Sequence, residues 1–272
     1  MATLRLLAFG GIFLILSVCE FFWPRKKLSQ SKLLRWFTNL SMTTLDLVLV
    51  HFLLGTLAFA TASWAQKHHL GFFNHFEIPS YFEILLSIIL LDFVIYLQHI
   101  AFHKIPLCWR FHKVHHTDLD IDVTTGLRFH PLEIIVSLFI KMAAIVILGP
   151  SPLAVILFEI ILNATSQFNH SNIHIPETMD QTLRMILVTP DMHRVHHSTT
   201  PLETNSNFGF SLPWWDHLWK TYRQEPHLPH VSMEIGLPQY RNSEKLNLLN
   251  LLRMPFNAEE RTRTSTGFPI RS

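Results

Sequence analysis

The sequence predicts an all-α integral membrane protein, with about four transmembrane helices and a cytoplasmic helical cap that holds a dimetal site. Three observations predict it. Hydrophobic residues make up 49% of the 272 and charged residues only 15%, against roughly 25% charged in a soluble domain. Apolar runs recur over residues 4–22, 40–64, 81–102, 131–149 and 153–169. Histidine is in excess, with 18 in the chain, and ten of them fall into four clusters at metal-ligand spacings. A formal charge of +2 and the lack of a basic stripe argue against a nucleic-acid binder. Cys19 and Cys108 support neither a disulfide framework nor a zinc–thiolate site, which fits a reducing or membrane-embedded setting.

Residues 4–22 would span about 28 Å as a helix, long enough to cross a bilayer. They lead into Trp23-Pro24-Arg25-Lys26-Lys27 rather than a small-residue cleavage site, so a membrane helix is expected and not a signal peptide. Arg25, Lys26, Lys27, Lys32 and Arg35 crowd the next segment, whereas the loop 65–80 carries only Lys67. That asymmetry puts 25–35 in the cytoplasm and 65–80 outside, with the 40–64 run between them. The third run, 81–102, returns to the cytoplasm. Gly149-Pro150-Ser151-Pro152 breaks the fourth run from the fifth, and the two form a hairpin whose outer ends are cytoplasmic. Lys141 and Glu159 lie equally far from that break and are expected to pair, which lowers the cost of charge at membrane depth.

From Asn169 the chain is polar and reads as the cap. Ser243-Glu244 opens a short amphipathic helix at about 244–253. Residues 257–272 are unpatterned and expected to be disordered. The chain thus divides into N-terminal transmembrane helices (1–80), a catalytic domain (81–256) and a tail (257–272).

The four clusters are His99 and His103; His112, His115 and His116 in WRFHKVHH; His170 and His174; and His193, His196 and His197 in MHRVHH. On a helix, positions i, i+3 and i+4 share a face, so each HxxHH signature is expected to aim three imidazoles at one point. The topology rests on Lys and Arg alone, yet it puts all four clusters on one membrane face. Ten imidazoles exceed the needs of one ion and fit two metals, whose identity the spacing leaves open among Zn, Fe, Cu and Ni. Asp92 and Tyr96 precede His99 on nearly the same helix face and are expected to orient ligand imidazoles. His130 is expected beside the centre or facing substrate. Asp118, Asp120, Asp122 and Asp191 read as solvated or capping residues. His51, His68, His69, His75, His217, His227 and His230 have no such company and read as surface or interfacial.

The stretches DFVIYLQHIAFH, WRFHKVHHTDLDIDVTTGLRFHPLE, FNHSNIHIP, TPDMHRVHHS and NFGFSLPWWDHLWKTY run in this order through residues 92–222. They resemble the fatty acid hydroxylase / sterol desaturase superfamily of histidine-rich membrane oxygenases. The resemblance implies a non-haem di-iron centre that activates O₂ and hydroxylates or desaturates a C–H bond of a lipid: a sterol, fatty acyl, ether lipid or isoprenoid. By position it implies His99, His103, His112, His115, His116, His170, His193, His196 and His197 as ligands, with His174 at a more variable tenth position. Zinc would be able to replace the two irons in isolated protein. The chain carries no nucleotide-binding glycine fingerprint and no cysteine cluster, so electrons would come from a separate reductase and a small carrier. Lys220 stands where many relatives have glycine. The site would face the cytoplasm at a bacterial inner membrane or the endoplasmic reticulum. The competing class is a histidine-rich membrane metal-binding or transport protein without oxygenase activity, which should place ligands along a path near the midplane. A membrane zinc protease would need HExxH, which does not occur.

Overall fold

The computed structural model describes residues 2–54 and 57–257. Among these the chain is helical throughout, with two isolated β-bridges, Pro24 to Ile173 and Ser198 to Ile235, and no strand. The long helices are α1 (Ala2–Phe22), α2 (Lys32–Leu54), α3 (Leu57–Lys67), α4 (Ser80–Lys104), α6 (Pro131–Leu148) and α7 (Pro152–Asn169), with α5 (Pro106–His116) between α4 and α6. Short helices follow: α8 (Glu177–Leu183), α9 (Pro190–His196), α10 (Pro201–Thr204), α11 (Trp214–Leu218) and α12 (Leu248–Arg253). Proline at the first turn of α5, α6, α7, α9 and α10 sets where each begins, because its missing N–H is not needed there.

Among the described residues, three helices are long and apolar enough to cross a membrane: Thr3–Phe22, Ser80–Lys104 and Pro131–Leu148. Their outward side chains, such as Leu7, Phe21, Leu85 and Ile147, are exposed, as a lipid-facing surface requires. The described residues of the apolar run 40–64 lie in α2 up to Leu54 and in α3 from Leu57. The amphipathic segment near 244–253 is a 3₁₀ turn (Ser243–Leu246) followed by α12, and Leu246 and Leu251 pack with Met42, Val114 and Leu119. The tail beyond 257 lies outside the described residues.

α7 sits centrally, against α1, α3 and α4, and α4 also packs on α5 and α6. Leu91, Ile95, Ala144, Ile145, Val155 and Phe158 form the core between these helices. The α6–α7 turn is capped by Gly149 in the left-handed conformation (φ 69°) and by Ser151, whose hydroxyl accepts from the Ala154 N–H. Asn74 donates to the Gly149 carbonyl, and Glu83 accepts from the Ser151 N–H at 2.8 Å. The turn therefore meets the α3–α4 loop and the start of α4, at the end of the bundle opposite His99 and His103. Lys141 and Glu159 pair at 3.0 Å, and Arg5 of α1 joins them at 2.9 Å from the second carboxylate oxygen.

The aspartates read as solvated or capping residues are buried. Arg35 donates to Asp118 at 2.7 Å and to Asp122 at 2.6 Å. Ser29 and Gln30 cap Asp120 through their backbone N–H groups, and Arg25 pairs with Asp191 at 2.8 Å. Burial alone would raise the Asp118 carboxyl, but Arg35 overrides it and holds it below the ordinary carboxylate range. Glu20 of α1 accepts from the backbone N–H groups of Val123 and Asn172, each at 2.7 Å. The basic segment after α1 is thus bound to the loops that carry the histidines.

Candidate metal centre

Four pieces of chain deliver the histidines. The last turns of α4 carry His99 and His103. Pro106 starts α5 immediately after, turning His112, His115 and His116 back toward α4. His170 caps the end of α7. Thr189 and Pro190 open α9, which carries His193 and His196 and ends at His197.

Nine of these imidazoles converge, in two groups. His99, His103, His112, His116 and His196 form one; His115, His170, His193 and His197 form the other. Within each, one ligand atom per residue lies within 4.8 Å of all the others, and every member is buried. The expectation that each HxxHH triplet aims at a single point is corrected. At 100° per residue, position i+4 lies about 40° from i, while i+3 lies about 60° away on the other side. His112 and His116 therefore serve the first group and His115 the second. The other triplet does the reverse: His193 and His197 serve the second group and His196 the first. Each signature is a bridge between two centres.

The ring nitrogens suit metal binding. The His115 and His193 Nε2 atoms each lie 3.0 Å from His170 Nε2, and His112 and His116 Nε2 are 3.3 Å apart. Nitrogens about 2.1 Å from a common ion would be spaced by about 3.0–3.4 Å. Seven further ring nitrogens, among them His99, His103 and His196 Nε2 and both of His197, are buried with no hydrogen-bond partner among the described residues. A folded core rarely tolerates that many unless a ligand satisfies them. Burial pushes the imidazoles of His112 and His170 down to about 3, and those of His115, His116, His193, His196 and His197 well below the ordinary value. All are then neutral, the form that binds a metal.

Several rings are fixed from behind. The Nδ1–H groups of His99, His170 and His196 donate to the carbonyls of Phe208 (2.8 Å), Ser166 (2.7 Å) and Ser206 (2.8 Å). His112 Nδ1 meets Glu133 Oε1 at 2.6 Å. These contacts leave Nε2 of each ring for the centre. Gly126 allows the close packing here: a Cβ on it would lie 2.5 Å from the Ser166 oxygen and 3.1 Å from His170 Nδ1.

The remaining expected site residues stand elsewhere. His174 is exposed, belongs to neither group, and meets Trp23 through its backbone N–H. Asp92 touches no histidine. It accepts from the Ser211 and Leu212 N–H groups and from Trp215 Nε1 (2.9 Å), and so holds the loop whose Phe208 carbonyl orients His99. Tyr96 bonds Thr221 at 2.9 Å, and Thr221 donates to Asp216, which also accepts from the Phe208 and Gly209 N–H groups. His130 caps α6 and reaches the Leu252 carbonyl. Asp92, Tyr96 and His130 all steady the surroundings and leave the rings to others. Glu133, passed over in the sequence, is the carboxylate on a candidate ligand; an acid in the first turn of an apolar run was its signal. The carbonyl acceptors carry no side-chain signal at all.

A cavity of about 40 Å³ touches both groups, through His99 and His112 of one and His115, His170 and His193 of the other. Its remaining wall is mostly apolar: Ile95, Phe102, Phe129 and Phe210.

A family model described as fatty acid hydroxylase matches residues 84–221. The chain is 29% identical to the ornithine lipid hydroxylase OlsE of Rhizobium tropici, over 87% of this chain and 72% of that protein. It is 31% identical to the alkylglycerol monooxygenase of Homo sapiens, over 49% of this chain but only 29% of that protein. With the cholesterol 25-hydroxylase of Homo sapiens it shares 28% identity, over 52% of this chain and 51% of that protein. The chain thus spans most of the first relative's length but only about half or less of the other two. No solved structure matches.

Proposed function

The chain belongs to the fatty acid hydroxylase family, and from that premise we propose that it is a membrane-bound, O₂-dependent di-iron oxygenase that hydroxylates a C–H bond of a lipid. It is an oxidoreductase of the hydroxylase type and a membrane protein. The observation that carries the reading further is the apolar cavity between two groups of neutral imidazoles. One metal per group, and a space touching both, is what a dinuclear oxygenase needs.

His99, His103, His112, His116 and His196 would hold one iron, and His115, His170, His193 and His197 the other. Bound there, the pair would supply the activation of O₂ that an unreactive C–H bond demands. The chain's own residues do the rest. Glu133 and the carbonyls of Phe208, Ser166 and Ser206 hold ring nitrogens protonated on the outer side, so that the inner lone pairs stay aimed. Ile95, Phe102, Phe129 and Phe210 make the wall beside the histidines apolar, which suits the approach of an alkyl segment. A lipid substrate fits this wall, and the relatives, named for ornithine lipid, alkylglycerol and cholesterol, support a lipid of that general kind.

Electrons would come from a separate reductase through a small carrier. Arg25 and Arg35 are tied to Asp191, Asp118 and Asp122 beside the histidines, which supports a centre on the basic, cytoplasmic side. The test is a lipid profile of cells expressing the chain or its His115→Ala variant. A lipid gaining one oxygen only with the native chain is expected. Turnover retained in the variant would defeat the ligand assignment, and a zinc-filled protein that oxidises no lipid with any donor would favour a metal-binding role.

A further inference from the structure

Gln98 is a polar residue in the wall of the cavity, on α4 next to His99. Its Nε2 donates to Ser137 Oγ at 3.0 Å, across the α4–α6 contact. Its Oε1 is buried and has no hydrogen-bond partner among the described residues. The neighbouring wall residues Ile95, Phe102, Phe129 and Phe210 offer no side-chain donor. A buried amide oxygen left unpaired is costly, and with Nε2 bonded to Ser137 the oxygen is the end left over.

We propose that Gln98 is a specificity-determining residue whose side-chain oxygen accepts a hydrogen bond from an amide N–H or hydroxyl of the lipid, a few bonds from the carbon that is oxidised. The inference rests on the oxygenase reading for the identity of the cavity. It narrows the substrate class to lipids with a polar donor near the reacting carbon and disfavours bare alkyl segments. A site built to bond a donor rejects the analogue that lacks it, because the acceptor is then desolvated with nothing in return.

The experiment uses the full chain in detergent, metal-loaded and without reductant, with tryptophan fluorescence reporting binding. Two matched pairs serve as probes: N-hexadecanoylglycine against N-hexadecanoyl-N-methylglycine, and 1,2-hexadecanediol against its dimethyl ether. In the native chain the donor-bearing member of at least one pair should bind about tenfold or more tighter than its capped partner, and the pair that responds tells amide from hydroxyl. Gln98→Met should bring the two members within twofold. Equal binding within both pairs by the native chain overturns the proposal and needs no variant. So does a preference that survives in Gln98→Met. Adding a reductant separates the two readings: a lipid bound with the expected preference but never oxidised counts against the oxygenase alone, and an oxidised lipid with no preference counts against Gln98 alone.

Discussion

Glu133, in the first turn of α6, lies 2.6 Å from His112 Nδ1, and its other oxygen has no partner among the described residues. The pair couples a helix of the membrane bundle to the HxxHH signature of α5. A carboxylate there makes the imidazole a stronger ligand and fixes its tautomer. Glu133→Gln is expected to lower metal affinity or turnover by roughly 10–100-fold while leaving the helical content unchanged. Metal titration of the purified variant checks this, and native affinity would remove Glu133 from the centre.

Arg35 makes the contact that locks α2 to the loop after α5. It bonds Asp118, Asp122 and the Asp120 carbonyl, and it is buried. Removing one partner of such a network strands a charge in the interior, at a cost of about 3–5 kcal/mol. Arg35→Met should therefore lower the thermal midpoint in detergent substantially, and Asp118→Asn in the same background should add much less than it does alone.

Lys220 has φ 58°, in the left-handed region where a side chain is disfavoured. A glycine at this position would adopt that conformation without the steric cost of a Cβ. Lys220→Gly should be tolerated and should change stability by about 1 kcal/mol or less, the relief of strain opposing the greater freedom of the unfolded chain. A severe loss of stability would mean that the lysine side chain, beyond its backbone, holds the α11 turn.

His230 is buried near Asp191 (3.8 Å) and Glu225 (3.9 Å), with Arg194 and Arg25 close by. Burial outweighs the acids and lowers its imidazole to about 4, from about 6.5 in an unfolded chain. Between those values the unfolded chain binds more protons than the folded one. Stability should be flat above pH 6.5 and fall as the pH drops toward 4, by at most about 3 kcal/mol from this group. Thermal midpoints against pH would show the loss, and His230→Gln should flatten that part of the curve.

Much of this was legible because a metal site writes its ligands as side chains. Nine of the ten clustered histidines come together in two neighbouring groups. His174 does not, because its helical register is lost after His170 caps α7. The spacing argument treated three positions as one face, and the 100° between i+3 and i+4 was enough to send them to two centres. Asp92 was recognised as an acid needing a partner, but its partners are backbone N–H groups and Trp215, which no sequence pattern announces. Lys141 and Glu159 were paired from their distance to the turn; Arg5 was out of reach of that reasoning because α1 joins them only through tertiary packing. The buried aspartates were misread for the same reason. Their cations, Arg25 and Arg35, lie far away in sequence.

The central claim is that each HxxHH triplet feeds two centres. The most direct measurement is metal per chain in the native protein and in His116→Ala and His197→Ala, each loaded anaerobically with iron and freed of excess. The native chain should hold two, and each variant should fall toward one, His116→Ala emptying the group that contains His99 and His197→Ala the group that contains His170. One metal or none in the native chain, or two retained in both variants, would contradict it.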